Sequence, residues 1–212
     1  MRIELSGAVA VSLAKSLDPA RSKDAMRRHL TGVYWEMPYG ETPVNVFTTT
    51  DGYRLHRVTI GDAIAIDAGL SGIAQSVTLS GDVVKALVAM AKLAGKKGLV
   101  VLDSDDGKTV VTAHMTEGYR SIVGSMNVET LYGDFPQCAD IIARSNEIEL
   151  PAFFNPKYLG DVIDAAGIWA GKDGLVRVDS LNVTKPGRIV SRNSSGTFTG
   201  VIMPARAPKV GE

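Results

Sequence analysis

Along the chain, alternating apolar and polar residues give way to apolar residues every three or four positions, then alternate again, and this cycle runs three times. RIELSG leads into VAVSLAKSL, SVTLSG into VVKALVAMAKLAG, and EIELPAFFNP into KYLGDVIDAAG, with Leu5, Leu79 and Leu150 in the same place. Three alternating runs follow each helical stretch: GVYWEM, VNVFTTT and RLHRVTI; GLVVLDS, TVVTAHMT and YRSIVGSM; GLVRVDSLNV, RIVSRN and FTGVIMP. Each copy therefore reads strand, helix, three strands. The boundaries fall at 1–70, 71–140 and 141–212.

Local signals agree with this division. Val83, Leu87, Met90 and Ala94 share one helical face. Asn155 before Pro156 reads as an N-cap followed by proline at the first helical position. Gly95 reads as the end of the second helix. Asp51-Gly52 between two alternating runs predicts a two-residue hairpin, with weaker relatives at Glu117-Gly118 and Gly196. The fold class is α+β: tandem βαβββ units with helices on one face of antiparallel sheets. One such unit is too small to cover its own sheet. Units 1–70 and 71–140 together make a full domain, with two helices on two sheets. The third, 141–212, is left without an internal mate, which points to association with another chain.

Composition narrows the function mainly by exclusion. The formal net charge is +0, so any polyanion contact must come from local asymmetry. The lone Cys138 excludes a disulfide framework and points to a reducing, cytoplasmic setting, where the sequons at Asn182 and Asn193 carry no meaning. No apolar run is long enough to cross a membrane. His29, His56 and His114 lack metal-ligand spacing. GIWAGKDG departs from a phosphate loop and reads as a helix end and turn, and DSDDGK reads as a hairpin loop. Trp35 and Trp169 read as packing residues, with exposure at an interface the alternative for Trp169, which is expected past a helix end. No catalytic constellation emerges. We therefore expect no enzyme, metal or cofactor.

Five segments, in order, resemble the bacterial DNA polymerase III beta subunit, the DNA sliding clamp. RRHLTGVYWE and FTTTDGYRL resemble its middle domain, and GDFPQ the segment that closes that domain. FFNPKYLGDVIDA and GVIMPAR resemble the Asn/Tyr helix and final strand of its last domain. The resemblance runs from about residue 3 to 206 and implies the clamp fold built of βαβββ units. It also implies one apolar pocket for short hydrophobic motifs of DNA polymerase, clamp loader and repair proteins. Transferred position by position, that pocket is formed by Leu30, Thr50, Gly52, Tyr53, Arg54 and Leu55. Pro136 and Ile141 make one wall; Asn155, Tyr158, Val201, Ile202, Met203, Pro204, Ala205 and Arg206 complete it. Asp at Leu55 or Met203 is expected to abolish peptide binding without disturbing the fold. Tyr53 stands where the family often has His, and Asp140 where a basic residue is common, so peptide preference is expected to differ.

The resemblance further implies a homo-oligomeric ring on duplex DNA. A family chain has six units; four copies of a three-unit chain would supply the family's twelve, and different pairing or an open assembly are the alternatives. Lys85, Lys92 and Lys96 fall on one helical stripe, extended by Lys97; Lys23, Arg27, Arg28 and His29 follow the first helix. Such residues would hold phosphate without reading sequence. The bland alternative is the solvated side of amphipathic helices. The competing function is a clamp-like peptide-binding module without a ring, acting as a decoy or adaptor for the same motifs. An enzyme ranks last.

Overall fold

The computed structural model describes residues 1–37, 44–61, 75–115, 121–144, 153–172, 174–179 and 186–205. The first unit holds strand β1 (Arg2–Ser6), helix α1 (Gly7–Leu17) and strands β2 (Val33–Met37), β3 (Asn45–Thr50) and β4 (Arg54–Ile60). The second holds β5 (Gln75–Leu79), α2 (Asp82–Ala94), β6 (Leu99–Asp105), β7 (Lys108–Met115) and β8 (Ser121–Val128). A short β9 (Thr130–Leu131) and α3 (Ala139–Arg144) lead to the third unit. There α4 (Pro156–Ala170) precedes β10 (Val176–Asp179), β11 (Gly187–Asn193) and β12 (Gly196–Ile202). The expected order of elements is present wherever residues are described. The third unit's opening strand, Glu147–Leu150, and the Glu117-Gly118 turn lie outside the described residues.

The helices begin and end for local reasons. Ser6 caps α1 by accepting from the Val9 amide at 3.3 Å. Asn155 caps α4 by accepting from the Lys157 amide at 3.0 Å, with Pro156 at the first position. Gly95 and Gly171 end α2 and α4 at φ of 70° and 80°, a region that suits glycine. Helix α4 runs on through Gly167 and Trp169, past the expected stop. Trp169 is therefore a helical residue; it is 1% exposed and packs in the core.

Two sheets form, and the units exchange strands between them. β1 leaves its own unit to pair antiparallel with β6, giving the order β1-β6-β7-β8. β5 in turn pairs with β2. Each three-strand meander has an open edge at its first strand, and the other unit's opening strand covers it, as a sheet edge requires. α1 and α2 pack side by side over one continuous core that includes Leu13, Trp35, Phe47, Leu79, Leu87 and Leu102.

The third unit joins by its last strand. β12 pairs antiparallel with β4, from Thr197↔Thr59 to Ile202↔Arg54. The second sheet thereby reaches eight strands, ordered β10-β11-β12-β4-β3-β2-β5-β9. Over this seam α4 lies against α1, and the Ser16 hydroxyl donates to the Ala165 carbonyl at 3.0 Å. Gly200 permits the approach: a Cβ there would meet Val162 Cγ1 at 2.3 Å.

The hairpins refine the turn expectations. Between the last paired residues, Thr50 and Leu55, the loop holds Asp51 to Arg54, longer than a two-residue turn. Asp51 explains the extra length. Its carboxylate accepts from the Tyr53 and Arg54 amides at 3.0 and 3.1 Å, closing a side-chain turn around Gly52 at φ 90°. The two-residue hairpin is instead Asp106-Gly107, with both φ positive at 44° and 73°.

Candidate peptide-binding cleft

The cleft sits at the seam between the first and third units. Leu30, Leu55, Phe135, Cys138 and Val201 form a second apolar cluster, separate from the main core. Phe135 reaches it by stacking on Tyr34, with centroids 4.8 Å apart. Above this floor opens a cleft of about 100 Å³, lined by Leu30, Thr50, Gly52, Tyr53, Arg54, Leu55, Pro136, Cys138, Ile141, Val201 and Met203. Small-molecule sites run to roughly 300–1,000 Å³. This cleft instead suits an apolar side chain of a peptide.

The elements hold these side chains by backbone contacts. The Met203 amide donates to the Tyr53 carbonyl at 2.9 Å, so the segment after β12 follows the Asp51–Arg54 loop. The Ala205 amide donates to the Phe153 carbonyl at 2.7 Å, anchoring the same segment beside the start of α4. Thr50 braces the loop: its hydroxyl donates to the Arg54 carbonyl at 2.7 Å and accepts from the Gly52 amide at 3.1 Å. Tyr53 and Met203 stand at the rim, 54% and 42% exposed.

Arg54 ties the two units together electrostatically. Its guanidinium pairs with Asp51 at 3.1 Å and with Asp161 of α4, and lies 4.8 Å over the Tyr158 ring. Tyr158 also stacks with Tyr53 at 6.1 Å. Tyr158 thus shapes the rim without lining the cleft. Asn155 is used as the helix cap. Ile202 is fully buried, points away by strand alternation, and does not line the cleft. Pro204 and Ala205 continue the anchored segment outside the lining, and Arg206 lies outside the described residues.

Leu55 behaves differently from the sequence expectation. At 3% exposure it is part of the buried cluster, so Asp there would break packing rather than leave the fold undisturbed. Met203 remains the position where packing and binding separate. Cys138 lines the cleft, a role its sequence context did not reveal. Burial pushes its thiol up to about 11, and the Sγ–H donates to the Pro136 carbonyl at 3.2 Å, so it stays a protonated, apolar wall.

The basic residues divide into three groups. Lys15, Lys85 and Lys92 line a groove of about 810 Å³ formed by α1, α2 and α4, together with Asp18, Val84, Val88, Leu93 and Ile168. Lys85 also pairs with Asp82 at 3.1 Å. Lys23, Lys96 and Lys97 are exposed outside that groove. Arg27, Arg28 and His29 lie on 3-10 turns over Ala25–Leu30. Arg27 pairs with Asp24 at 3.5 Å and reaches the Asp51 carbonyl at 3.4 Å, while Arg28 pairs with Glu129 at 2.7 Å. None of the three lines the helix groove, and Arg27 alone reaches the loop that rims the cleft. Among the described residues, no cluster of His, Cys, Asp and Glu is arranged to hold a metal, and no helix is long and apolar enough to cross a membrane.

No protein-family model matches the chain, and no curated protein matches it. Its architecture does match solved structures. It superposes on the DNA polymerase III beta subunit of Thermotoga maritima with a TM-score of 0.70 at 15% identity, over 98% of this chain and 66% of that one. The DNA polymerase sliding clamp of Caulobacter crescentus gives 0.72 at 16% identity, over 97% and 65%. That of Pseudomonas aeruginosa gives 0.70 at 13%, over 98% and 66%. The chain has the sliding-clamp fold. It spans about two thirds of the length of these clamps, matching them along nearly all of its own.

Proposed function

We propose that this protein is a DNA sliding clamp: a non-enzymatic processivity factor that encircles duplex DNA as a homo-oligomer. It tethers DNA polymerase and clamp loader through short hydrophobic motifs seated in the seam cleft. Residues 1–140 act as one complete clamp-like domain and 141–212 as half of another. The observation that carries this reading is the meeting of Leu30, the Asp51–Arg54 loop, Pro136, Ile141 and Met203, from three distant parts of the chain, around one apolar cleft. An apolar floor with a few fixed polar groups at its edge is the usual design for anchoring a short peptide. Lys15, Lys85 and Lys92 along the helix groove supply phosphate contacts that carry no sequence information and allow sliding.

Fluorescence anisotropy with a labelled peptide carrying a hydrophobic clamp-binding motif tests the cleft. Met203→Asp places a charge at the half-exposed rim and is expected to weaken binding at least tenfold, with circular dichroism unchanged. Undiminished binding by this variant would refute the assignment. Retention on circular but not linear DNA tests the ring.

A further inference from the structure

β4, β8 and β12 play the same part in the three units: each is the last strand of its meander. The outer edge of β4 is taken by β12, last strand against last strand, antiparallel. Among the described residues, the outer edge of β8 has no strand partner, because its sheet ends there in the order β1-β6-β7-β8. Soluble proteins blunt such edges with charge, proline or brevity. β8 has eight residues, SIVGSMNV, with neither charge nor proline. Ile122, Val123 and Met126 are 64%, 40% and 37% exposed. Leu93 of α2, 53% exposed, adds to the edge on the helix face, where a Cβ on Gly124 would lie 2.7 Å from its Cδ1, while Ile122 lies on the other face beside Thr112 and His114. A bulge lies where His114 faces Ile122 and Ala113 faces Gly124, leaving Gly124–Val128 in regular pairing.

The seam within the chain identifies the occupant. A last strand here is completed by another last strand, and β4 and β12 complete each other. The one remaining is β8 of a second copy. Antiparallel pairing of a strand with its own copy requires a two-fold axis. We propose that two protomers join β8 to β8 about a two-fold, continuing the four-stranded sheet from one copy into the other. α2 then lies beside the partner's α2, as α1 lies beside α4, and the exposed apolar residues on both faces of the β8 edge gain neighbours. This deepens the ring reading and rests on it: the pair forms an unbroken row of six units, third-first-second-second-first-third.

Ser125 is exposed and near the middle of β8, so a two-fold brings it within cross-strand reach of its own mate. Ser125→Lys and Ser125→Glu therefore each set like charges together. Sedimentation and light scattering of the full chain are expected to show wild-type association, at least tenfold weaker association for either variant alone, and wild-type strength for their equal mixture. Rescue on mixing requires the same residue to face itself, which a head-to-tail contact cannot provide. The inference is overturned if wild type is monomeric, if either variant assembles like wild type, or if mixing fails to rescue. Peptide anisotropy on the same samples reports separately on the cleft, which is far from Ser125 in the strand order and keeps its affinity whichever way the assembly test falls.

Discussion

His56 lies at the seam and makes folding sensitive to mild acid. It sits on β4 opposite Gly200 of β12, fully buried, with its ring edge-on to Phe198 at 5.1 Å. Nδ1 is 2.6 Å from the Ser16 carbonyl of α1, which makes that nitrogen the protonated donor of a neutral ring. Burial lowers its pKa from 6.5 to about 4; the Ser16 carbonyl opposes this and nearby Arg54 adds to it. The unfolded chain therefore takes up a proton between pH 6.5 and 4 that the folded chain refuses. Stability is fully present above pH 6.5 and is lost as pH falls through this window. At 1.36 kcal/mol per unit, the whole shift amounts to about 3 kcal/mol, of which roughly 1.4 kcal/mol is gone by pH 5.5. That is a sizeable part of the roughly 5–15 kcal/mol that stabilises a domain. Urea unfolding at pH 7.5, 6.5 and 5.5 measures it, with His56→Gln as the non-titrating control. The variant is expected to be less stable throughout but to lose about 1.4 kcal/mol less between pH 7.5 and 5.5. Parallel pH profiles for wild type and variant would show that the buried imidazole is not the source.

Two further outcomes follow from the seam and the helix groove. Gly200→Ala drives a methyl into Val162, which is fully buried and cannot yield, so thermal unfolding should reveal a loss of about 1–3 kcal/mol; pairing it with Val162→Ala should recover part of that loss, and a neutral Gly200→Ala would mean the seam is looser than its geometry. If Lys85 and Lys92 each hold a phosphate, changing both to Glu should weaken duplex DNA binding evenly across sequences. It should also lower the slope of log affinity against log salt by about 2, and an unchanged slope would remove these lysines from the interface.

Much of this architecture is written in local pattern. The 3.6-residue and two-residue periods, the Asn155-Pro156 start and the Gly95 stop depend on near neighbours, and the described helices and strands appear where those signals place them, except that α4 runs past its expected end. Much of the cleft was legible too, because its lining comes from short motifs whose order along the chain is itself informative. Three-dimensional packing decided the rest. Periodicity says which face of a strand is buried but not which strand lies alongside it. The exchange of β1 and β5, and the joining of β4 to β12, arise from open edges meeting across long stretches of chain. The Asp51 loop outgrew its dipeptide signal because a side chain replaced a backbone bond. Leu55, His56 and Cys138 took their roles from burial. An exposed leucine and a core leucine, or a surface histidine and one held neutral, are spelled alike; only the neighbours assembled around them set their solvation, and solvation sets their chemistry.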